Sequence, residues 1–519
     1  MSASAPAATS VPFWVTDSVL DRAGEGYFEW LDHIWPAAGC SRPVRLYGDI
    51  RAVDAATGEL LRSMSTTGMP DGVIYKACGN RRSAACPSCA ETYRRDAYHV
   101  IRSGLAGGKG VPESVATHPA VFATFTAPSF GPVHTRVISR HTCADRARCT
   151  CRPDPCRARR DGGACEHARP LVCFARHAAA DPRLGQPLCP DCYDHGAQVV
   201  WNNAAGELWR RTKQAIERHL AALARARGIP LIWIPGGKDR HGNDRWRAIP
   251  PVRVSHGKAA EFQARGAVHF HALLRLDGVD RRDLAAIIPP PAGITAADLD
   301  DAIRHAAKAI TFTTAPHPAR PGGWPIGWGG QVDVRVITMR GQNSVTDDMV
   351  AAYLAKYATK STEATGHTSA RITDETIDLY ADQDGSHTER LVEVCWILGR
   401  EPDYYGLRRW AHMLGFGGHF LTKGRRYSVT FGVLRGARIF YRRNQTTGPE
   451  HDPIRTADHT EEDTTLIIEN LWYAGTGWKT TADALLANTA ADQARKRRQA
   501  GRDDLADEYN SMTSERQAA

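Results

Sequence analysis

Two histidines one residue apart, His269-Phe270-His271, lie in the stretch Glu261-Phe262-Gln263-Ala264-Arg265-Gly266-Ala267-Val268-His269-Phe270-His271-Ala272-Leu273-Leu274. The pattern predicts strands on either side of a turn at Arg265-Gly266. Residues i and i+2 of a strand point to one face. The two imidazoles are therefore expected side by side, with Phe270 turned the other way into apolar packing. Neutral imidazole is a ready ligand for a divalent ion. A hairpin would bring Glu261 or Gln263 across from the histidines as an oxygen ligand. Glu261 is the first choice because carboxylate suits a hard cation. Gln263 shares its strand face, and His256 is a more distant alternative. The plain alternative is a strand with two solvent-facing histidines.

A second segment carries candidate nucleophiles. Val345-Thr346-Asp347-Asp348-Met349-Val350 precedes Tyr353-Leu354-Ala355-Lys356-Tyr357-Ala358-Thr359-Lys360. Thr346 reads as a helix cap, with Asp347 and Asp348 in the first turn, where negative charge is favoured. Tyr353 and Tyr357 are then i and i+4, on one helix face. Each has a lysine three residues later, Lys356 and Lys360, so Tyr-x-x-Lys occurs twice in tandem. Such lysines suit phosphate as point charges, or could lower a tyrosine pKa. An aromatic pair packed in a core, with ordinary solvated lysines, is the alternative.

Taken together, a His-hydrophobic-His strand followed by a Tyr-x-x-x-Tyr helix resembles the HUH endonuclease superfamily. Within it, the match is to the two-tyrosine rolling-circle replication initiators. Phe122-Ala123-Thr124-Phe125-Thr126-Ala127-Pro128 resembles the family's first motif. The tyrosine run looks like that of initiators from isometric single-stranded-DNA phages. Residues 70–430 resemble initiators of actinomycete plasmids and integrative conjugative elements. Supporting stretches are Cys86-Pro87-Ser88-Cys89, Leu188-Cys189-Pro190-Asp191-Cys192-Tyr193 and His412-Met413-Leu414-Gly415-Phe416-Gly417-Gly418-His419-Phe420.

The resemblance implies a histidine strand in the middle of an antiparallel sheet, with the tyrosine helix packed beneath it. It implies Mg²⁺ or Mn²⁺ on His269, His271 and an oxygen or amide ligand. Tyr353 and Tyr357 would cleave single-stranded or hairpin origin DNA, leaving a 5′-phosphotyrosine and a 3′-OH primer. A conjugative relaxase or a two-tyrosine transposase would share that chemistry. A non-enzymatic zinc-dependent DNA-binding regulator would explain the cysteines but not the tandem Tyr-x-x-Lys. No Gly-x4-Gly-Lys-[Ser/Thr] phosphate loop occurs in the chain. A host helicase is therefore expected as a partner, with a host polymerase extending the primer.

Thirteen cysteines are present, and twelve precede residue 195. Such clustering reads as zinc binding rather than disulfides in a reducing compartment. Cys86/Cys89 and Cys189/Cys192 are two Cys-x-x-Cys knuckles. The leading expectation is one four-cysteine site joining them; alternatively, Cys78 completes a site with the first. Cys143, Cys149, Cys151, Cys156, Cys165 and Cys173, with His167 and His177 among them, are expected to form one further site whose pairing stays open.

At 519 residues the chain has room for two to four domains of about 150 residues each. A hydrophobic content of 42% allows ordinary cores, and the net charge of +9 is compatible with a DNA-binding surface. No apolar run approaches the roughly 20 residues of a membrane span. Met1 to Ser10 lacks the features of a signal peptide, so a cytoplasmic location without membrane partners is expected. The expected class is α+β: a central antiparallel sheet with flanking helices, a Cys-rich zinc-binding insertion and a C-terminal helical region. The expected divisions are an N-terminal region at 1–115, a nicking domain at 116–365 interrupted by the insertion at 141–195, a basic helical region at 366–450, and a charged, partly disordered tail at 451–519.

Overall fold

A computed structural model describes residues 13–143, 149–158, 163–337, 347–357, 359, 371–444 and 465–518. The chain is mixed α and β with antiparallel sheets. It divides into two compact units: Arg94–Ala457, and Met1–Tyr93 together with Asp458–Ala519.

The larger unit is built on a five-stranded sheet. Its order is Val332–Val336, Ala120–Phe125, Val268–Gly278, Val252–Phe262, Leu421–Lys423. Each neighbouring pair is antiparallel. The histidine strand Val268–Gly278 is thus the third of five, and nearly every residue in it is buried. Covered on both faces, it reads as an almost continuous apolar run rather than a strict alternation. One face packs on the long helix His195–Ala226, where Trp209 meets Phe125 and Phe270 edge-on. Asp194 starts that helix by accepting a hydrogen bond from the Ala197 amide at 2.7 Å. The other face carries Ala259 and Leu273 against Ile101, Leu105, Val350, Leu354 and Tyr427. A fully buried side chain of this size contributes about 1.5–3 kcal/mol.

The strand that carries Glu261 runs unbroken over Val252–Phe262. The polar run Ser255-His256-Gly257-Lys258 suggests a break in sequence. Tertiary partners remove the need for one. Ser255 donates to the buried Asp277 at 2.5 Å, the Lys258 ammonium lies 3.5 Å from the Phe270 ring centroid, and His256 packs edge-on to Trp209.

In the other unit, Val44–Asp54 pairs with Leu60–Ser65, Ile74–Lys76 and Thr465–Thr476. The last of these falls in the expected disordered tail, yet it pairs along the whole of Val44–Asp54. The helix Thr481–Ala518 follows, and its Ala487 is buried with Trp30, Ile34 and Tyr75. Nor is the basic helical region at 366–450 a unit of its own. It supplies an edge strand, Leu421–Lys423, and the helix His387–Leu398 to the larger unit. Boundaries at 115 and 365 therefore fall inside the larger unit, whereas the one at 450 lies close to its division at Ala457/Asp458. No described helix is long and apolar enough to cross a membrane.

Candidate active site

The hairpin of Val252–Phe262 and Val268–Gly278 sets Glu261 opposite His269 and Ala259 opposite His271. Opposed residues in an antiparallel pair share a face, so one carboxylate and two imidazoles converge. Glu261 Oε2 lies 2.9 Å from His269 Nε2 and 3.2 Å from His271 Nε2. Burial raises the Glu261 carboxyl, but the two rings hydrogen-bonded to it outweigh this and hold it at about 2. Burial lowers His271, with the Glu261 hydrogen bond acting against it. Three donors of this kind, all within 4.8 Å of one another, fit a single divalent ion.

Gln263, the second candidate oxygen ligand, is not brought in. Its side-chain oxygen accepts from Arg265 Nε at 2.9 Å, and Arg265 in turn donates to the carbonyls of Ala127 and Pro128. His256 is on the opposite face of the sheet, at an odd spacing from Glu261. It is lowered to about 3 by burial and by the neighbouring Lys213, Lys258 and Lys423.

The turn that carries this register is held from below. Asn202 donates to the Gly266 and Leu414 carbonyls and accepts from the Val268 amide. Gln198 donates to the Arg265 carbonyl at 2.9 Å. Gly266 has φ of 76°, and a Cβ there would meet Leu414 at 2.9 Å and Leu391 at 3.1 Å.

The neighbouring strand Ala120–Phe125 supplies a residue that sequence reasoning did not single out. Thr124 pairs with His271 in the ladder, and its hydroxyl lies 3.1 Å from His271 Nδ1. That contact leaves Nε2 for the Glu261 side. Phe122, two residues earlier, stacks on the His271 ring at 5.7 Å. Both lie in the stretch Phe122–Pro128 quoted above, and strand pairing is the signal that would have found them.

The helix Asp347–Tyr357 lies on the same sheet face, through Val350, Ala351 and Leu354. Tyr353 stands edge-on to His271 at 5.1 Å between ring centroids, and edge-on to Phe122 at 5.9 Å. The residue is 39% exposed, so it is both beside the histidines and accessible. Lys356 is exposed one turn on. Tyr357 ends the helix, and its side chain, Lys360 and the expected cap Thr346 lie outside the described residues.

The cysteine knuckles do not join. Cys86 and Cys89 meet Cys40 and Cys78, whereas Cys189 and Cys192 meet Cys165 and His167. The knuckles open two different helices, Pro87–Ala106 and His195–Ala226, and each finds nearer donors in its own surroundings. The middle cysteines divide as well: Cys156 and Cys173 meet His134 and His177, and Cys143, Cys149 and Cys151 meet His141. Cys40, His134 and His141 stand in no knuckle, and sequence reasoning missed them.

A cleft of about 750 Å³ opens at the turn end of the hairpin, lined in part by Arg136, Gln263, Arg265 and Trp328.

The family model described as the replication initiator protein of pSAM2, RepSA, matches residues 26–492. A replication initiator protein from Streptomyces ambofaciens is 40% identical over 505 residues, covering 96% of this chain and 97% of that protein. No solved structure matches.

Proposed function

The chain belongs to the RepSA family of replication initiator proteins, and on that premise we propose that it starts replication by nicking one strand of origin DNA at the Glu261, His269, His271 and Tyr353 centre. The observation that carries this reading is the convergence of a carboxylate, two imidazoles and a solvent-accessible phenol on one sheet face. Those are the parts that a metal-assisted phosphoryl transfer to tyrosine needs.

In the proposed step the Tyr353 oxygen bonds to the scissile phosphorus, and the bond from phosphorus to the 3′ oxygen breaks. The phenolic proton passes to solvent, and the leaving oxygen takes one up. A 5′-phosphotyrosine and a free 3′-OH result. Because one phosphoester replaces another, the reverse attack rejoins the strand. Phenol, with a pKa of about 10, is a weak nucleophile near neutral pH. A divalent ion on Glu261, His269 and His271, Mg²⁺ or Mn²⁺, would polarise the phosphate and offset its developing charge. Thr124 fixes the His271 ring for that task. Lys356 offers a point charge to a neighbouring phosphate. Position 357, one helical turn after Tyr353, would carry the second nucleophile for the closing cleavage.

The 3′-OH then primes synthesis by a host polymerase. With no ATP-binding phosphate loop of its own, the initiator would rely on a host helicase to unwind the duplex. The cleft beside Gln263 could seat the strand, with Arg136 and Arg265 as its charges.

The test is a labelled single-stranded origin oligonucleotide incubated with the full chain and Mn²⁺ or Mg²⁺. A covalent adduct is expected that needs the metal and disappears in the Tyr353→Phe, Tyr357→Phe double variant. Single variants assign the order of use. Tight binding without cleavage under either ion would refute the nicking mechanism and leave a DNA-binding role.

A further inference from the structure

Among the described residues, no Val, Leu, Ile, Met, Phe, Tyr or Trp between Phe130 and Tyr193 is buried. Nor, among the described residues, does a helix or strand run between Phe125 and His195; isolated bridges such as Val133 to Pro187 and Arg157 to Cys173 are present. A segment of that length without a core has nothing apolar to offset the entropy of ordering it. Something else must hold it.

Every cysteine before residue 195 falls into one of four quartets. They are Cys40, Cys78, Cys86, Cys89; His134, Cys156, Cys173, His177; His141, Cys143, Cys149, Cys151; and Cys165, His167, Cys189, Cys192. Each brings together donors that are distant in sequence or on both sides of a loop. We infer that the four quartets are four tetrahedral zinc sites: one with four sulfurs, one with two sulfurs and two nitrogens, and two with three sulfurs and one nitrogen.

The spacing supports a shared central ion. With Zn–S of about 2.3 Å and Zn–N of about 2.0–2.1 Å, tetrahedral edges are about 3.8 Å for S–S, about 3.5 Å for S–N and about 3.4 Å for N–N. In the first quartet the Sγ atoms of Cys78 and Cys89 are 3.7 Å apart, and those of Cys86 and Cys40 3.9 Å. In the second, Cys173 Sγ is 3.6 Å from His177 Nε2, Cys156 Sγ is 3.8 Å from His134 Nδ1, and the two ring nitrogens are 3.2 Å apart. His141 Nδ1 is 3.3 Å from Cys149 Sγ and 3.8 Å from Cys143 Sγ. His167 Nδ1 is 3.2 Å from Cys192 Sγ and 3.8 Å from Cys189 Sγ. A disulfide would place its sulfurs about 2.0 Å apart; these cysteines are all free.

The surroundings match as well. Backbone amides donate to the sulfurs of Cys40, Cys86, Cys151 and Cys156 at 3.2–3.3 Å, which favours thiolate. His177 Nδ1 is 2.7 Å from Asp181 Oδ2, so its Nε2 faces the quartet. Thiolate-rich sets suit zinc and not Mg²⁺ or Mn²⁺. Four protein ligands leave no open position, so these sites build the fold and take no part in cleavage. Three of them take the place of a core in the segment before the long helix, and the fourth holds the start of Pro87–Ala106 in the other unit.

Elemental analysis of the full chain, expressed in zinc-supplemented medium, purified under reducing conditions and dialysed with a mild chelator to strip the open Glu261, His269 and His271 site, is expected to find four zinc ions per chain. X-ray absorption at the zinc edge should give an average shell of three sulfurs to one nitrogen. Both are read on the unmutated protein, so they stand even where a variant fails to fold. Cys86→Ser with Cys189→Ser should lower the content from four to two, because the residues serve different ions. Cys395→Ala, outside every quartet, should keep four. Three or fewer ions, iron in place of zinc, a sulfur-poor shell, or loss of a single ion in the double variant would each overturn the assignment.

Discussion

At Glu261 a single carboxylate oxygen meets both histidines, while Thr124 holds the far side of one ring. The two contacts make separable predictions. Glu261→Gln keeps the size but removes the charge a hard cation needs. Adduct formation should fall by about two orders of magnitude or more at any Mn²⁺ concentration, as expected when metal-borne charge stabilisation is lost. DNA binding should change little. Thr124→Val removes a partner one shell out, so apparent Mn²⁺ affinity should drop by about 10–100-fold, with the rate recovered at high Mn²⁺. A metal titration of nicking distinguishes them: an unchanged titration curve in Thr124→Val would show that its hydroxyl does not position the ring.

The hairpin is the element that makes this site, and two buried supports set its register. Asn202 serves three backbone groups of the turn and its neighbour at Leu414. Removing it leaves buried groups unpaired at about 1–3 kcal/mol each. Asn202→Ala should therefore lower the thermal midpoint by several degrees and slow nicking without touching a ligand. At the other end of the histidine strand, Asp277 is buried with Arg275, His118 and Ser255. Burial raises its carboxyl, but the bonds from His118, Arg275 and Ser255 outweigh that and hold it below the ordinary range. Such a group stabilises the fold fully above its unfolded value of about 3.9, and the contribution drains away as pH falls through the lower folded value. Asp277→Asn strands a buried Arg275 and should cost about 3–5 kcal/mol near neutral pH. The gap to the unmutated protein should narrow below about pH 4 in denaturant titrations. A gap that widened on acidification would contradict this account.

At the scale of the molecule, the unit formed by the two ends of the chain changes what the C-terminal segment is for. Thr465–Thr476 fills one side of Val44–Asp54, and Ala487 enters the core with Trp30 and Tyr75. Deleting residues 458–519 should therefore expose a long sheet edge and destabilise the N-terminal residues, rather than trim a passive tail. Limited proteolysis is the measurement: cleavage within residues 13–93 should become much faster in the truncated chain, and an unchanged pattern would return the segment to the status of a tail. A net charge of +9 adds that DNA binding should weaken as salt rises.

Local periodicity was enough to find His269 and His271 on one strand face, and Tyr353 on a helix. Both signals depend on residues close in sequence, as strand and helix periods do. Cysteine spacing was likewise enough to mark the first 195 residues as the place where sulfur donors gather. Pairing was not legible, because which donors meet depends on how distant segments pack. Cys86 and Cys189 look alike in sequence and serve different quartets. Gln263, second choice after Glu261 on the same expected strand face, is set aside only because Arg265 claims its side chain. The polar run at 255–258 looked like a break because its partners, Asp277, Phe270 and Trp209, come from elsewhere in the chain. The sequence alone determined the chemical groups and their local directions. Tertiary structure decided which groups share a site, since that choice is made by contacts far apart along the chain.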